Sequence, residues 1–179
     1  MNIGSFLLTS VLLIGIPVAL WSILVKLVAS LESSPKFAGR RTEWQVALIA
    51  LPLGFLSCAA WLSWTAAGKD GRAVGPGLPA PNTFPSWQIA ACGITLVVVA
   101  CGVSLLGRRL FAGSLASALG TSAGFALAMN VDVASMKEPS QAGVGVLISI
   151  LFLTAGLMAA TAIAAVCRAF FGLRTSRRD

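Results

Sequence analysis

The chain contains no histidine and no tyrosine, and only 11% of its residues are charged. Without histidine it lacks the commonest protein ligand of haem and zinc, and without tyrosine it has no tyrosyl redox relay. Its four cysteines lie inside apolar runs with no pair at metal-ligand spacing, so we interpret them as small buried hydrophobic residues. The sequence therefore predicts no metal site and no bound cofactor.

The sequence also lacks the motifs of phosphate-binding loops, zinc proteases and serine hydrolases. The proline-rich connection over residues 68–86 is too short to fold into a soluble domain. An enzyme embedded in a membrane needs a nucleophile with a base, or several polar groups at one depth. No such set stands out, and we expect a non-enzymatic protein.

Apolar sequence is what the chain has in abundance, with 57% hydrophobic residues and a mean hydropathy of +0.89. This composition is typical of integral membrane proteins. At about 1.5 Å of rise per residue, about 20 residues cross a hydrocarbon core. The sequence predicts an all-α fold, a single membrane domain in the lipid bilayer with five transmembrane helices at about 4–31, 44–67, 87–107, 110–131 and 143–171.

Proline and tryptophan add detail to these runs. Pro17 lies inside the first run, where we expect a kink because proline removes one helix hydrogen bond. Tryptophans lie close to the ends of the second and third runs, where interfacial belts are expected: Trp44, Trp61, Trp64 and Trp87.

The net charge of +7 raises the possibility of a nucleic-acid partner. The basic residues, however, occur in short clusters between the apolar runs, as in the flanks of membrane helices. We therefore expect no nucleic acid. The alanine- and glycine-rich composition with a short basic tail is typical of a bacterial protein, and we expect the plasma (inner) membrane as its location.

The basic residues also predict the orientation of the chain. If the run from Arg108 to Asp132 spans, ten basic residues share one side and three lie on the other. If it does not span, the division is seven to six. Because short cytoplasmic loops are enriched in lysine and arginine, we predict five spans, with the N-terminus outside and the C-terminus in the cytoplasm.

Small residues recur at every fourth position of the fourth run, which is also the least apolar of the long runs. Such a row lets two helix backbones approach closely. A shorter row follows in the fifth run. Both are predicted to lie at helix contacts, within the bundle or with a partner protein, and we favour internal packing for these residues: Ala112, Ala116, Gly120, Gly124, Ala128, Gly156, Ala160 and Ala164.

Asn130 and Asp132 close the fourth run and form the candidate polar site. Ionisable groups in membrane helices are the default place to look for function, because a charge in hydrocarbon is costly. Asp132 is interpreted either as part of a cation site or polar partner contact, or as a solvated carboxylate at a helix end. We favour the solvated carboxylate.

These observations predict a small accessory or scaffold subunit of a larger membrane complex, in transport, secretion or energy conversion. The alternative is a small transporter or channel that is complete only as a homo-oligomer, with a pore lined by hydroxyls of the fourth and fifth helices. A water-filled polar seam favours the transporter, and a dry interior counts against it. The third interpretation is an embedded enzyme acting on lipid or quinone.

Overall fold

The computed structural model describes residues 3–32, 40–66, 72–76, 84–133 and 140–175, without the side chains of some residues at the edges of these ranges. Its helices are α1 Ile3–Ser10, α2 Ile16–Leu31, α3 Glu43–Leu62, α4 Ser86–Ser104, α5 Leu110–Val133 and α6 Ser140–Thr175. The first candidate span, Phe6–Leu31, joins α1 and α2, and each of the other four helices carries one more. The chain is thus all-α, with five helices long and apolar enough to cross a membrane.

A π-helical turn, Val11–Gly15, connects α1 to α2 immediately before Pro17. Proline lacks an amide hydrogen, and its ring clashes with the carbonyl four residues earlier, which here is that of Leu13. The wider π-turn contains Leu13 and relieves this clash. A widened turn therefore precedes Pro17, and the kink expected from the sequence stays a prediction.

Contacts between helix ends show that α3 and α4 run in opposite directions. At one end, which we call the arginine end, Arg41 N donates to Leu106 O at 3.1 Å and Arg108 N donates to Arg41 O at 3.0 Å. At the opposite end, the tryptophan end, the rings of Trp61 and Trp87 lie 6.3 Å apart. The α2–α3 connection and the α4–α5 turn therefore lie together, and the α3–α4 connection lies at the other end.

α5 is the central helix of the bundle. Within its apolar segment 78% of the residues are buried, whereas the other four spans bury only 17–33% of theirs. The least apolar of the five candidate spans is thus the one that its neighbours cover most completely. Its closest and most extensive contact is with α3, and α2, α4 and α6 also pack against it.

Several helix ends differ from those expected from the sequence. α3 ends at Leu62 rather than near residue 67, because Gln88 of α4 donates to the carbonyls of Trp61 and Trp64 and thereby replaces further helix bonds. α4 ends at Ser104 rather than 107, and α6 continues to Thr175. The interpretation of the cysteines as buried is confirmed for Cys58 and Cys92, whereas Cys101 is half-buried and Cys167 is exposed.

Candidate functional site

Glycines at the contact of α5 with α3 bring the two backbones together. A Cβ added to Gly120 would lie 2.9 Å from Ala47 Cα, and one added to Gly124 would lie 2.8 Å from Phe55 N. Gly54 completes the contact from the α3 side, where a Cβ would lie 2.8 Å from the carbonyl carbon of Thr121. Real Cβ atoms do not approach other atoms this closely. The contact therefore requires glycine on both helices.

The remaining small residues of the two predicted rows occupy different surroundings. Ala112 and Ala116 are fully buried, and Ala128 is half-buried. On α6, Ala160 and Ala164 are half-buried, whereas Gly156 is exposed and a Cβ there would have no atom within 4 Å. The α5 row thus lies inside the bundle, and the α6 row begins on its outer surface.

The buried hydroxyls of α5 and α6 are bonded within the protein. Ser117 donates to Ala100 O of α4 at 2.7 Å, and Ser122 lies 2.7 Å from Thr154 Oγ1 of α6. Others donate to carbonyls of their own helix, as Thr121 does to Ser117 O. Such bonds tie α5 to its neighbours and satisfy polar atoms that have no contact with water.

Asn130 joins the C-terminal part of α5 to α1. Its side chain is fully buried, and Nδ2 donates to Ser10 Oγ at 2.8 Å and to Thr9 Oγ1 at 3.1 Å. Its Oδ1 is buried and has no hydrogen-bond partner in the part of the chain that the structure describes. The structure therefore places this half of the predicted polar site at a helix contact inside the bundle.

Asp132 belongs to the last turn of α5, and its side chain lies outside the described part of the structure. Its interpretation as a solvated carboxylate or as a cation or partner site stays a prediction. Across the described ranges, no group of three cysteine or acidic side chains is placed to hold a metal ion. The basic residues Lys36, Lys69, Lys137, Arg177 and Arg178 also lie outside the described residues.

Glu32 binds the N-terminus of α5 at the arginine end. Its Oε1 accepts from Leu110 N at 2.7 Å and from Phe111 N at 3.4 Å, while Oε2 accepts from Ala112 N at 3.1 Å. The first amides of a helix have no partner within it and carry a partial positive charge, so a carboxylate stabilises them. A residue 78 positions earlier in the chain thus acts as the cap of the central helix.

Arginines surround a small cavity beside this cap. The cavity has a volume of about 200 Å³ and is lined by Thr42, Glu43, Arg108 and Arg109. Arg109 Nη1 lies 3.2 Å from Glu43 Oε1, so this arginine is paired. Thr42 caps α3 by accepting from Gln45 N at 3.4 Å, and this bond fixes one wall of the cavity.

Two polar residues with structural roles were not singled out from the sequence. Gln88 is fully buried and binds the chain leaving α3, and Glu32 caps α5. Both are polar residues next to an apolar run, which is the one signal that the sequence offers. Their partners lie 22 to 80 positions away, and local patterns do not identify contacts at such separations.

No family model, no curated protein and no solved structure matches this chain.

Proposed function

We propose that the protein is a small, non-catalytic accessory or scaffold subunit of a larger integral membrane complex. The observation that carries this proposal is the outward face of α6. Ala155, Gly156 and Ala159 are all exposed there, and the space beside Gly156 is open. A second transmembrane helix can approach such a face closely, as α3 approaches the glycines of α5.

The surroundings of this face define the chemistry of the partner. Phe152 is 76% exposed and Ile163 is 65% exposed, and they project on either side of Gly156 along the helix. Helices in lipid associate through close packing rather than through a hydrophobic driving force, so the shape of the contact decides its strength. The expected partner is an apolar helix with its own small residues opposite Gly156.

The transporter or channel alternative receives less support. It needs the hydroxyls of the fourth and fifth spans to face water in a homo-oligomer. Ser117, Thr121, Ser122 and Thr154 are instead fully buried within one protomer, and each is bonded to the protein. A pore along these residues would require the five-helix bundle to open.

We further propose insertion in the plasma (inner) membrane, with the arginine end in the cytoplasm and the N-terminus outside. Arg40, Arg41, Arg108 and Arg109 lie on the two connections that are joined by backbone bonds at one end. Among the described residues, Arg72 is the only basic residue at the tryptophan end. Positive residues concentrated on one side favour its retention in the cytoplasm.

A pull-down from native membranes tests the accessory role. The tagged full-length chain is extracted in mild detergent, and the mass and composition of the complex are determined. Gly156→Leu is compared with Gly102→Leu, since Gly102 of α4 is also exposed with no atom within 4 Å of an added Cβ. We expect a stoichiometric larger partner, retained by Gly102→Leu and lost from Gly156→Leu.

Either of two results would contradict the proposal. Release of a monomer from native membranes, under conditions that preserve other complexes, would show that no partner is bound. A homogeneous homo-oligomer without another protein would favour the transporter over the accessory subunit. Flux measurements in vesicles would then test transport. Thermal unfolding of both variants in detergent checks that neither substitution disturbs the bundle.

A further inference from the structure

The arginine end brings together charges from two distant parts of the sequence. Arg41 and Arg108 are joined by a backbone hydrogen bond of 3.0 Å, and their neighbours Arg40 and Arg109 follow the same connections. Arg40, Arg41 and Arg108 are exposed and, among the described residues, pair with no carboxylate. Their guanidinium groups are available to an anion.

Both carboxylates that the structure describes at this end are already engaged. Glu32 is bound to the amides of α5, and Glu43 lies 3.2 Å from Arg109. The cavity between the start of α3 and the α4–α5 turn therefore has the exposed Arg108 on its wall and two exposed arginines close by, with no free carboxylate among the described residues that line it. Its volume of about 200 Å³ is large enough for a phosphate group.

Large apolar side chains adjoin the cavity residues in the sequence and are exposed. Leu105, Leu106 and Phe111 flank the α4–α5 arginines with exposures of 52%, 43% and 37%, and Trp44 follows Glu43 with an exposure of 43%. Lys26 Nζ lies 6.0 Å from the ring of Trp44, an arrangement expected at the headgroup level of a bilayer. Charged and apolar groups thus lie side by side at one depth.

We propose that the cavity lined by Thr42, Glu43, Arg108 and Arg109 binds the phosphate of an anionic phospholipid. The phosphate oxygens would accept hydrogen bonds from the guanidinium group of Arg108 and from the Thr42 hydroxyl. Guanidinium groups match phosphate with paired hydrogen bonds. The exposed leucines and Phe111 would contact the acyl chains, and this apolar flank favours a lipid over free phosphate.

Native mass spectrometry of the full-length chain tests this site with three probes: dioctanoyl phosphatidylglycerol, dioctanoyl phosphatidylcholine and inorganic phosphate. The variant is Arg108→Gln, which keeps the backbone bonds of the turn. The control is Arg72→Gln, because Arg72 is an exposed arginine of the α3–α4 connection at the opposite end. The wild type and both variants are first compared for thermal unfolding.

We expect the anionic lipid to bind the wild type and Arg72→Gln equally, and to bind Arg108→Gln about fivefold more weakly. Phosphatidylcholine should bind the wild type no more tightly than the anionic lipid binds Arg108→Gln. Equal losses in Arg108→Gln and Arg72→Gln would overturn the site. Equal binding of the two lipids would overturn the preference for an anionic lipid, because both lipids carry a phosphodiester. Binding of inorganic phosphate as strongly as the anionic lipid would overturn the lipid as its ligand.

Discussion

Gly124 and Gly102 are the same residue in opposite surroundings. Gly124 lies on the central helix, where an added methyl group would collide with the backbone of α3. Gly102 lies on the outer face of α4, where the same methyl group would meet no atom within 4 Å. Whether glycine is needed at a position therefore depends on the neighbouring helix rather than on the helix that carries it.

Gly124→Ala should destabilise the protein, whereas Gly102→Ala should not. We expect Gly124→Ala to lower the free energy of unfolding by about 1–3 kcal/mol, because α3 and α5 must move apart. Gly102→Ala should be neutral or stabilising by up to about 1 kcal/mol, because alanine has the higher helix propensity. Thermal or denaturant unfolding in mild detergent measures both. Equal effects would mean that α3 and α5 are not in backbone contact.

The larger substitutions Gly120→Leu and Gly124→Leu should prevent correct packing of the bundle. A leucine side chain cannot fit between the two backbones, so the helices would separate. Protease sensitivity and size-exclusion profiles in detergent report the effect, with Gly102→Leu as the matched control. Unchanged folding and assembly of both variants would contradict the close contact.

Asn130 should be energetically coupled to Ser10. Asn130→Ala removes the 2.8 Å hydrogen bond to Ser10 Oγ, and Ser10→Ala removes the same bond from the other side. A double-mutant cycle on the free energy of unfolding should give a coupling of about 0.6 kcal/mol and at most about 1.7 kcal/mol, the mean and the maximum for hydrogen bonds between membrane helices. Strictly additive effects would show that α1 and α5 are not joined here.

At the scale of the helix, α5 shows which part of its packing can be predicted from the sequence. The recurrence of small residues from Ala112 to Ala128 predicts a closely packed helix, and the glycines of this row lie against another backbone. The identity of that helix could not be predicted. α3 contributes Gly54 and the backbone around Ala47, and neither forms a repeated pattern that distinguishes α3 from the other apolar runs.

The ends of the helices were less predictable than their existence. Apolar periodicity alone extends the second run to residue 67, but α3 ends at Leu62 where Gln88 takes over the carbonyls. The capping box at the start of α3 joins Thr42 to Gln45, three residues later, so it is a local pattern of the sequence. A cap supplied by a distant residue leaves no such local mark, and the N-terminus of α5 is the clearest case.

Glu32→Ala should destabilise the start of α5 through this distant cap. Loss of the carboxylate leaves the amides of Leu110 and Ala112 without their acceptor, and we expect a cost of about 0.5–2 kcal/mol. Hydrogen exchange should rise at these amides and stay unchanged at the centre of α5. Glu32→Gln keeps an acceptor oxygen but loses the charge. Its exchange rates at these amides should lie between those of the wild type and those of Glu32→Ala. Unchanged exchange in Glu32→Ala would contradict the cap.

At the scale of the whole molecule, the two ends of the bundle differ in chemistry. The arginine end is held by backbone bonds, the Glu32 cap and the Arg109–Glu43 pair. The tryptophan end is held by ring contacts and by Gln88. A bundle with one cationic and one aromatic end has a preferred orientation in a membrane, because cationic loops are retained in the cytoplasm.

Reporter fusions should place these ends on opposite sides of the membrane. Green fluorescent protein fused after Asp179 should fluoresce, whereas alkaline phosphatase at that position should be inactive. Alkaline phosphatase inserted at Gly75, between α3 and α4, should be active, because that connection lies at the tryptophan end. Activity of the phosphatase at both positions would support four spans and would mean that α5 does not cross the membrane. That result conflicts with its central position, since a helix surrounded by four spans cannot leave the bilayer without them.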